Sequence, residues 1–490
     1  MEISIAGVLF ILLTFYLLLS RDRFEHLLYL CVFTELFVEI GYIAKVGDWV
    51  FQISRFVEDV FGLYCLANLK QIPFALKKSW LVLNICYILP LFFLLIFPSN
   101  TLVATSQVSW DAILFEKQSP VHPQISVGVI SMTLRFMLYS CSILYIYNRL
   151  KYRDYKLLIS RLSKICTFFI YFCLLEFVFK NFLGGNEMWG HIIEVLFGKT
   201  YDTVLAGRFR GNFYEICLFT KEVSHVAYLL VIMMVIVITN SKLHKKKLIS
   251  KPIIISFFLL LVSTSFSVIL FLSGFLFMLL IYRLVVIRPA MIKFEISFSI
   301  LMIIVIPFLT AFFLNTESNS YVGHRLLNMI ENIDSILLLD WSYGNVMGDV
   351  SIQARIISVI QTLIAFLSRP LFGLSLNSAT CHGATAMLLV GIGVIGFYAW
   401  IKFYFYGCPM IKKLVIYKGA YHLGVFVYVF VNLFNSISIR PYYEITPLIL
   451  SICLLFLFTK GKKNLNLFVA YILLVNYYTK YLSKRRNYLG

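Results

Sequence analysis

The sequence predicts an all-α polytopic integral membrane protein, a bundle of about 12–14 transmembrane helices with two large external loops. Three observations carry that prediction. Hydrophobic residues make up 60% of the 490 and charged residues only 14%, with a mean hydropathy of +0.86. Apolar runs long enough to cross a bilayer, roughly 20 residues each, recur along the whole length. Lysine and arginine gather in short clusters between those runs. A soluble domain cannot hide so much apolar surface, so lipid must be the solvent for most of it. A β-barrel would show short alternating strands, and the pattern shows none.

Taken in order, the expected spans cover residues 3–20, 27–42, 50–69, 80–97, 125–147, 165–182, 221–240, 252–262, 267–282, 296–314, 384–405, 421–434 and 445–458. The first run has no basic segment before it, so it reads as a span, not a cleavable signal. The pair at 252–282 leaves short crossings on either side of the polar "STSFS" (263–267), which therefore reads as a tight turn held within protein. Residues 467–478 read as an interfacial helix. No internal repeat or soluble domain interrupts the pattern, and residues 1–490 form a single transmembrane domain.

The net charge of +19 does not indicate nucleic acid, because the basic residues cluster at 148–164, 241–251, 282–293 and 460–463 in the manner of cytoplasmic loops. That orientation puts residues 183–220 and 315–383 on the external side, the second carrying an amphipathic helix in "SIQARIISVIQTLIAFLSRP" (351–370). The ten cysteines lie mostly within apolar runs, form no CxxC pair, and read as small buried hydrophobes. No DxD, HExxH or clustered Asp/His pattern supports a metal or other cofactor.

Two sets of ionisable residues stand out. Glu35, Glu39, Arg55, Glu58, Asp59, Arg135, Glu176 and Lys180 sit inside apolar runs. Each is costly in lipid and should face inward and pair; Arg55 and Asp59, at i, i+4, suit an intrahelical pair. The external loops, which should be poor in cations, hold Lys199, Arg208, Arg210, Arg325, Arg355 and Arg369. Snorkelling or surface pairing is the bland reading. The functional one is an anion site, since guanidinium forks grip phosphate oxygens bidentately. In "GRFRGNFYEICLFTKEVSH" (207–225), Glu222 and His225 share a helical face at i, i+3, against the mouth of the 221–240 span.

The stretch 210–230 resembles the arginine, glutamate and serine-histidine pattern of Wzy-type O-antigen and capsule polymerases. Glu222, Ser224 and His225 match the family's Glu-Pro-Ser-His, with Val223 in place of the proline. Residues 351–397 resemble its second signature, with Arg355, Pro370, Gly373, His382, Gly393 and Gly396 in place, and 259–279 resembles its short two-span hairpin. The resemblance covers roughly the middle half of the chain. It implies a metal-independent GT-C-type glycosyltransferase of the bacterial inner membrane. Such an enzyme moves a growing glycan from undecaprenyl pyrophosphate onto a new lipid-linked repeat unit. Its implied partners are that lipid-linked oligosaccharide, membrane lipid and a chain-length regulator protein, with no nucleic acid.

On this reading Arg208, Arg210, Arg325 and Arg355 hold the pyrophosphate. Glu222 is the general base, since an acid at a span mouth can be desolvated; His225 orients or replaces it, and His382 is the other candidate base. An O-antigen ligase shares the hairpin and the second loop's arginine and histidine but not Glu-x-Ser-His. A flippase or transporter would be expected to show repeats and short external loops. A non-catalytic membrane scaffold is the remaining alternative.

Overall fold

The computed structural model describes residues 2–34, 41–47, 49–105, 119–150, 155–183, 185–198, scattered positions from 209 to 244, then 250–262, 350–380 and 384–403. The expected spans at 267–282, 296–314, 421–434 and 445–458, and the interfacial helix at 467–478, lie outside them.

The described residues are mostly helical. In chain order the helices are α1 (Ile5–Leu19), α2 (Arg23–Thr34), α3 (Ile53–Ala67), α4 (Phe74–Ile96), α5 (Val127–Leu150), α6 (Tyr155–Val178), α7 (Gly185–Phe197), α8 (Lys251–Val262), α9 (Val350–Leu367) and α10 (Ala384–Ile401). Three stretches are long and apolar enough to cross a membrane: Lys77–Ile96, Val127–Ile146 and Leu157–Leu183. Apolar side chains point outward as well as inward. On α1, Leu9, Leu12, Phe15, Tyr16 and Leu19 are more than half exposed, and so are Ile85, Phe92, Leu95 and Ile96 on α4. In water such surfaces would associate; against acyl chains they are the expected exterior. These features point to a membrane protein.

The core lies where α3 packs between α2 and α5, with α4 against the far side of α5. Leu27, Leu28 and Cys31 of α2, Val57, Phe61 and Cys65 of α3, and Ile143, Leu144 and Tyr145 of α5 are enclosed there. The cysteines that the structure describes, Cys31, Cys65, Cys86, Cys141, Cys166 and Cys173, are all free and buried. Trp80 on α4 donates its indole N–H to Ser140 Oγ on α5 at 3.0 Å, so a polar atom in the apolar contact is satisfied by its neighbour.

Two expected spans do not run as drawn. Of residues 27–42, those to Thr34 are helical in α2, 35–40 lie outside the described residues, and Tyr42 opens a strand β2 (Tyr42–Val46). Residues 50–69 start in a strand β3 (Trp49–Gln52) and turn helical only at α3. With β1 (Glu2–Ile3) they make a three-stranded antiparallel sheet in the order β1-β2-β3, with Glu2 opposite Lys45 and Val46 opposite Trp49. The hairpin turns at Gly47, φ +57, a left-handed conformation that glycine adopts without strain. Ser4 ties the sheet to α1: its hydroxyl donates to the Tyr42 carbonyl and accepts the Gly7 N–H at 2.8 Å as the helix N-cap. The helix that follows has 15 residues, a rise of about 22 Å against the ~30 Å of a bilayer core.

The segment 183–220 was expected as a loop and contains structure of its own. Helix α6 winds into a π-turn at Phe179–Leu183. Helix α7 follows, packed on that turn and on α1, and ends at Gly198, φ +81, whose N–H bonds the Glu194 carbonyl at 2.8 Å. Beyond it come the short strands β4 (Phe209–Arg210) and β5 (Phe213–Tyr214), paired antiparallel with Arg210 opposite Phe213.

Candidate functional site

Of the residues singled out in the sequence, Arg208, Glu222, His225, Arg325 and His382 lie outside the described residues. The structure places the backbone of two others. Arg210 is in strand β4, and Arg355 is near the start of α9. What the structure does show is the scaffold on either side of each motif.

The first scaffold is the end of α6. Asn181, inside the π-turn, accepts the Tyr214 N–H at 2.7 Å through Oδ1 and donates to the Phe177 carbonyl at 2.9 Å through Nδ2. The β4–β5 hairpin bearing Arg210 is therefore hooked onto the helix end by one side chain. A π-turn re-aims side chains and often marks a functional site. One residue before the hook, Lys180 pairs with Glu176 at 2.6 Å, the two side chains 3% and 0% exposed. This is the inward pairing expected of charges within an apolar run.

Downstream of the hairpin, Val226, Leu229, Leu230, Met233, Ile236 and Val237 are helical and buried. Their spacing of three and four is that of one helix face turned into the core.

A second polar group sits between α3 and α5. Arg135 reaches Asp59 at 3.4 Å, and the Tyr139 hydroxyl donates to Glu58 Oε2 at 3.1 Å. The sequence pairs Asp59 with Arg55, whose charge one turn earlier Asp59 does feel, and Asp59 also pairs with Arg135 on the neighbouring helix. Both bonds fasten α3 to α5, which is a structural role.

The second scaffold joins α9 to α10. Helix α10 is broken at Gly393, φ +65 and ψ −177. The segment 369–380 inserts its backbone into the break. Leu374 and Ser375 N–H donate to the carbonyls of Val390 and Gly391 at 2.7 and 2.9 Å, and Val394 and Ile395 N–H donate to those of Pro370 and Leu371 at 2.8 and 3.3 Å. In an unbroken helix Val394 would bond to Val390 and Ile395 to Gly391. The inserted loop thus takes over both ends of two missing rungs. Only glycine fits the contact: a Cβ on Gly373 would stand 2.6 Å from the Gly391 carbonyl group, and one on Gly393 would stand 2.3 Å from Leu371 O.

Arg369, one of the unexpected external cations, has a defined task here. Its guanidinium donates to the carbonyl of Phe93, at 3.1 Å, which also accepts the Phe97 N–H, and to the carbonyl of Phe97, just past the end of α4. Phe372 stacks on Phe93, ring centroids 4.4 Å apart. Arg369 thus fixes the loop to α4, and its guanidinium is occupied by backbone.

Sequence reasoning missed the hairpin and the inserted loop. The signal for the first was the Gly-Asn pair at 211–212 between two aromatic-containing strands. For the second it was Gly373 and Gly393, which stand in the sequence as motif positions without their geometry. Among the described residues no group of three or more His, Cys, Asp or Glu is arranged to hold a metal ion. The chain matches no known family model, no curated protein and no solved structure.

Proposed function

We propose that this protein is a polytopic GT-C-like polysaccharide polymerase of the bacterial inner membrane, and that it extends a glycan carried on undecaprenyl pyrophosphate. The observation that carries the reading is the run from Arg210 to His225, in which arginine, glutamate and Ser-His precede a buried helical face in the order of the Wzy-type pattern. Counting back from that face, Glu222 stands four residues before Val226 and seven before Leu229, and His225 four before Leu229. These intervals are helical ones, so in the sequence pattern Glu222 and His225 are in register with that face.

The chemistry is a displacement at the anomeric carbon of the donor glycan. An acceptor hydroxyl oxygen forms the new bond to that carbon, and the bond to the pyrophosphate oxygen breaks with its electron pair leaving on the phosphate. The acceptor proton passes to Glu222. Pyrophosphate is already a good leaving group. The protein's task is then positioning, charge stabilisation by the arginine forks, and proton removal. Arg210, Arg325 and Arg355, with Arg208, are assigned to the pyrophosphate, and His225 and His382 are the alternative bases.

The broken helix α10 is the one feature that favours a flippase or transporter, since carriers bind substrate where membrane helices are interrupted. The lipid-linked glycan of cells lacking this protein separates the readings. Single repeat units on the carrier, exposed externally, support polymerisation. Long polymer left on the carrier indicates a ligase, and repeat units trapped on the cytoplasmic leaflet indicate a flippase.

A further inference from the structure

We infer that α7 is an interfacial helix, with one side packed on the bundle, a second in water and a third seated in the lipid of the membrane surface. The inference goes beyond the polymerase reading and does not depend on it.

The three sides follow from the spacing of the residues. Successive side chains turn by about 100°, so residues three, four and seven apart share a side. Asn186, Trp189, Gly190 and Ile193 make the buried side. Its anchor is Trp189, whose ring lies 5.7 Å from that of Phe172 in α6 and 5.6 Å from that of Phe179 in the π-turn. Glu187, His191 and Glu194 make a polar side, with Glu187 and His191 exposed and the His191 ring 3.9 Å from the Glu194 carboxylate. Met188, Ile192 and Val195 make the third, with Leu196 at its margin, and all four are exposed. The three sides stand roughly a third of a turn apart. A helix at the surface of a soluble protein needs only two sides, one buried and one polar. An exposed apolar side beside a separate row of polar groups is the pattern of a helix that meets protein, water and hydrocarbon together.

The neighbours of the apolar side show what covers it. Helix α7 follows the stretch Leu157–Leu183, which is long and apolar enough to cross a membrane. The last residues of that stretch, Phe182 and Leu183, are 66% and 71% exposed. The chain then bends at Gly185, φ +73, a conformation that glycine adopts freely. Helix α7 also packs on α1, whose outward side chains are apolar. The apolar side of α7 therefore continues an exterior that already faces acyl chains. Thirteen residues rise only about 20 Å, too short to cross the bilayer, and the acidic side must stay in water. A protein partner would need a far larger surface than four side chains, since a stable interface takes roughly 20–30 residues a side. The helix has no lysine or arginine, so insertion of apolar side chains seats it without attraction to anionic headgroups.

A helix of this kind sinks about 5–10 Å into the boundary between headgroups and acyl chains. It then sets the depth of what it packs on. The π-turn against α7 carries the Asn181 hook, so the β4–β5 hairpin is held near the level of the headgroups.

Full-length protein in phosphatidylcholine nanodiscs provides the experiment. An environment-sensitive fluorescent amino acid is placed by codon suppression at Glu187, Met188, His191, Ile192 or Val195, all exposed positions where a larger side chain has room. Each protein is quenched in turn by lipids brominated high on the acyl chain, by lipids brominated near its end, and by iodide in the water. Emission from 188, 192 and 195 should be shifted to the blue of that from 187 and 191. It should be quenched more by the high bromines than by the deep ones and shielded from iodide, whereas 187 and 191 should be quenched by iodide. The same pattern should hold in nanodiscs rich in phosphatidylglycerol. Iodide quenching at 188, 192 and 195 equal to that at 187 and 191 would put the apolar side in water and overturn the inference. Shielding from iodide and from both bromolipids would mean that protein covers it, a second copy included. Stronger quenching by the deep bromines would mean an inserted helix, and a pattern seen only with phosphatidylglycerol would refute apolar seating. No glycan enters the measurement, so each of these failures leaves the polymerase reading as it stands.

Discussion

Replacing Gly393 with alanine tests the inserted loop directly. The backbone at φ +65 and ψ −177 lies in a region open essentially to glycine alone and costs an L-residue about 1–3 kcal/mol. The new Cβ would stand 2.3 Å from Leu371 O and 2.4 Å from its carbonyl carbon, and those are backbone atoms that cannot rotate aside. The loop must withdraw, and the bonds nearest the clash, Val394 N–H to Pro370 O and Ile395 N–H to Leu371 O, stretch or break at about 1 kcal/mol each. Together the terms come to about 3–5 kcal/mol. Gly47→Ala supplies the control, because its φ is +57 and a Cβ there meets nothing within 4 Å; it should show the backbone term alone, about 1 kcal/mol. Paired unfolding scans of the detergent-purified proteins, with hydrogen exchange at Leu374, Ser375, Val394 and Ile395, give the readout. If Gly393→Ala is no less stable than Gly47→Ala and those four amides stay protected, the loop is not held as described.

Three further outcomes are expected. Arg369→Gln removes the guanidinium bound to two α4 carbonyls and should lower stability by about 2–3 kcal/mol, read from the same scans, with Arg369→Lys intermediate. Within α6 and its π-turn, Glu176→Gln or Lys180→Met alone removes one half of an enclosed ion pair and should cost about 3–5 kcal/mol; the double variant should recover most of that loss, and additive losses would refute the coupling. A cysteine at the exposed His191 of α7 should react with an impermeant thiol reagent in intact spheroplasts, whereas labelling only after lysis would reverse the orientation read from the basic clusters.

The long helices were legible because their evidence is plain: α4, α5 and α6 are continuous apolar runs, and their spans at 80–97, 125–147 and 165–182 fall inside or across the observed helices. The β2–β3 hairpin was not. Hydropathy carries the ends of "GYIAKVGDWVFQ", Tyr42 and residues 50–52, into the adjoining spans and leaves only 43–49 between them. The glycines at 41 and 47, both at positive φ, are the sign that this break is a hairpin. Charge pairing was partly legible. Glu176 and Lys180 could be matched by i, i+4 spacing, whereas the bond from Arg135 to Asp59 depends on how α3 meets α5 and leaves no trace in local sequence. Arg369 shows the same limit from the other side: as a cation in a loop it suggested an anion site, and its carbonyl partners lie 272 to 276 residues away.

Chain extension by the purified protein tests the central claim most directly. Wild-type protein in nanodiscs, given lipid-linked repeat units from cells that lack it, should build a ladder of products that rises by one repeat at a time. Glu222→Gln, which keeps size and hydrogen bonding but cannot take the acceptor proton, should slow that ladder by roughly 10² to 10⁴ while the donor still binds. Repeat units recovered unchanged from the wild-type reaction would contradict the polymerase account, and a near-native ladder from Glu222→Gln would remove that residue from the chemistry.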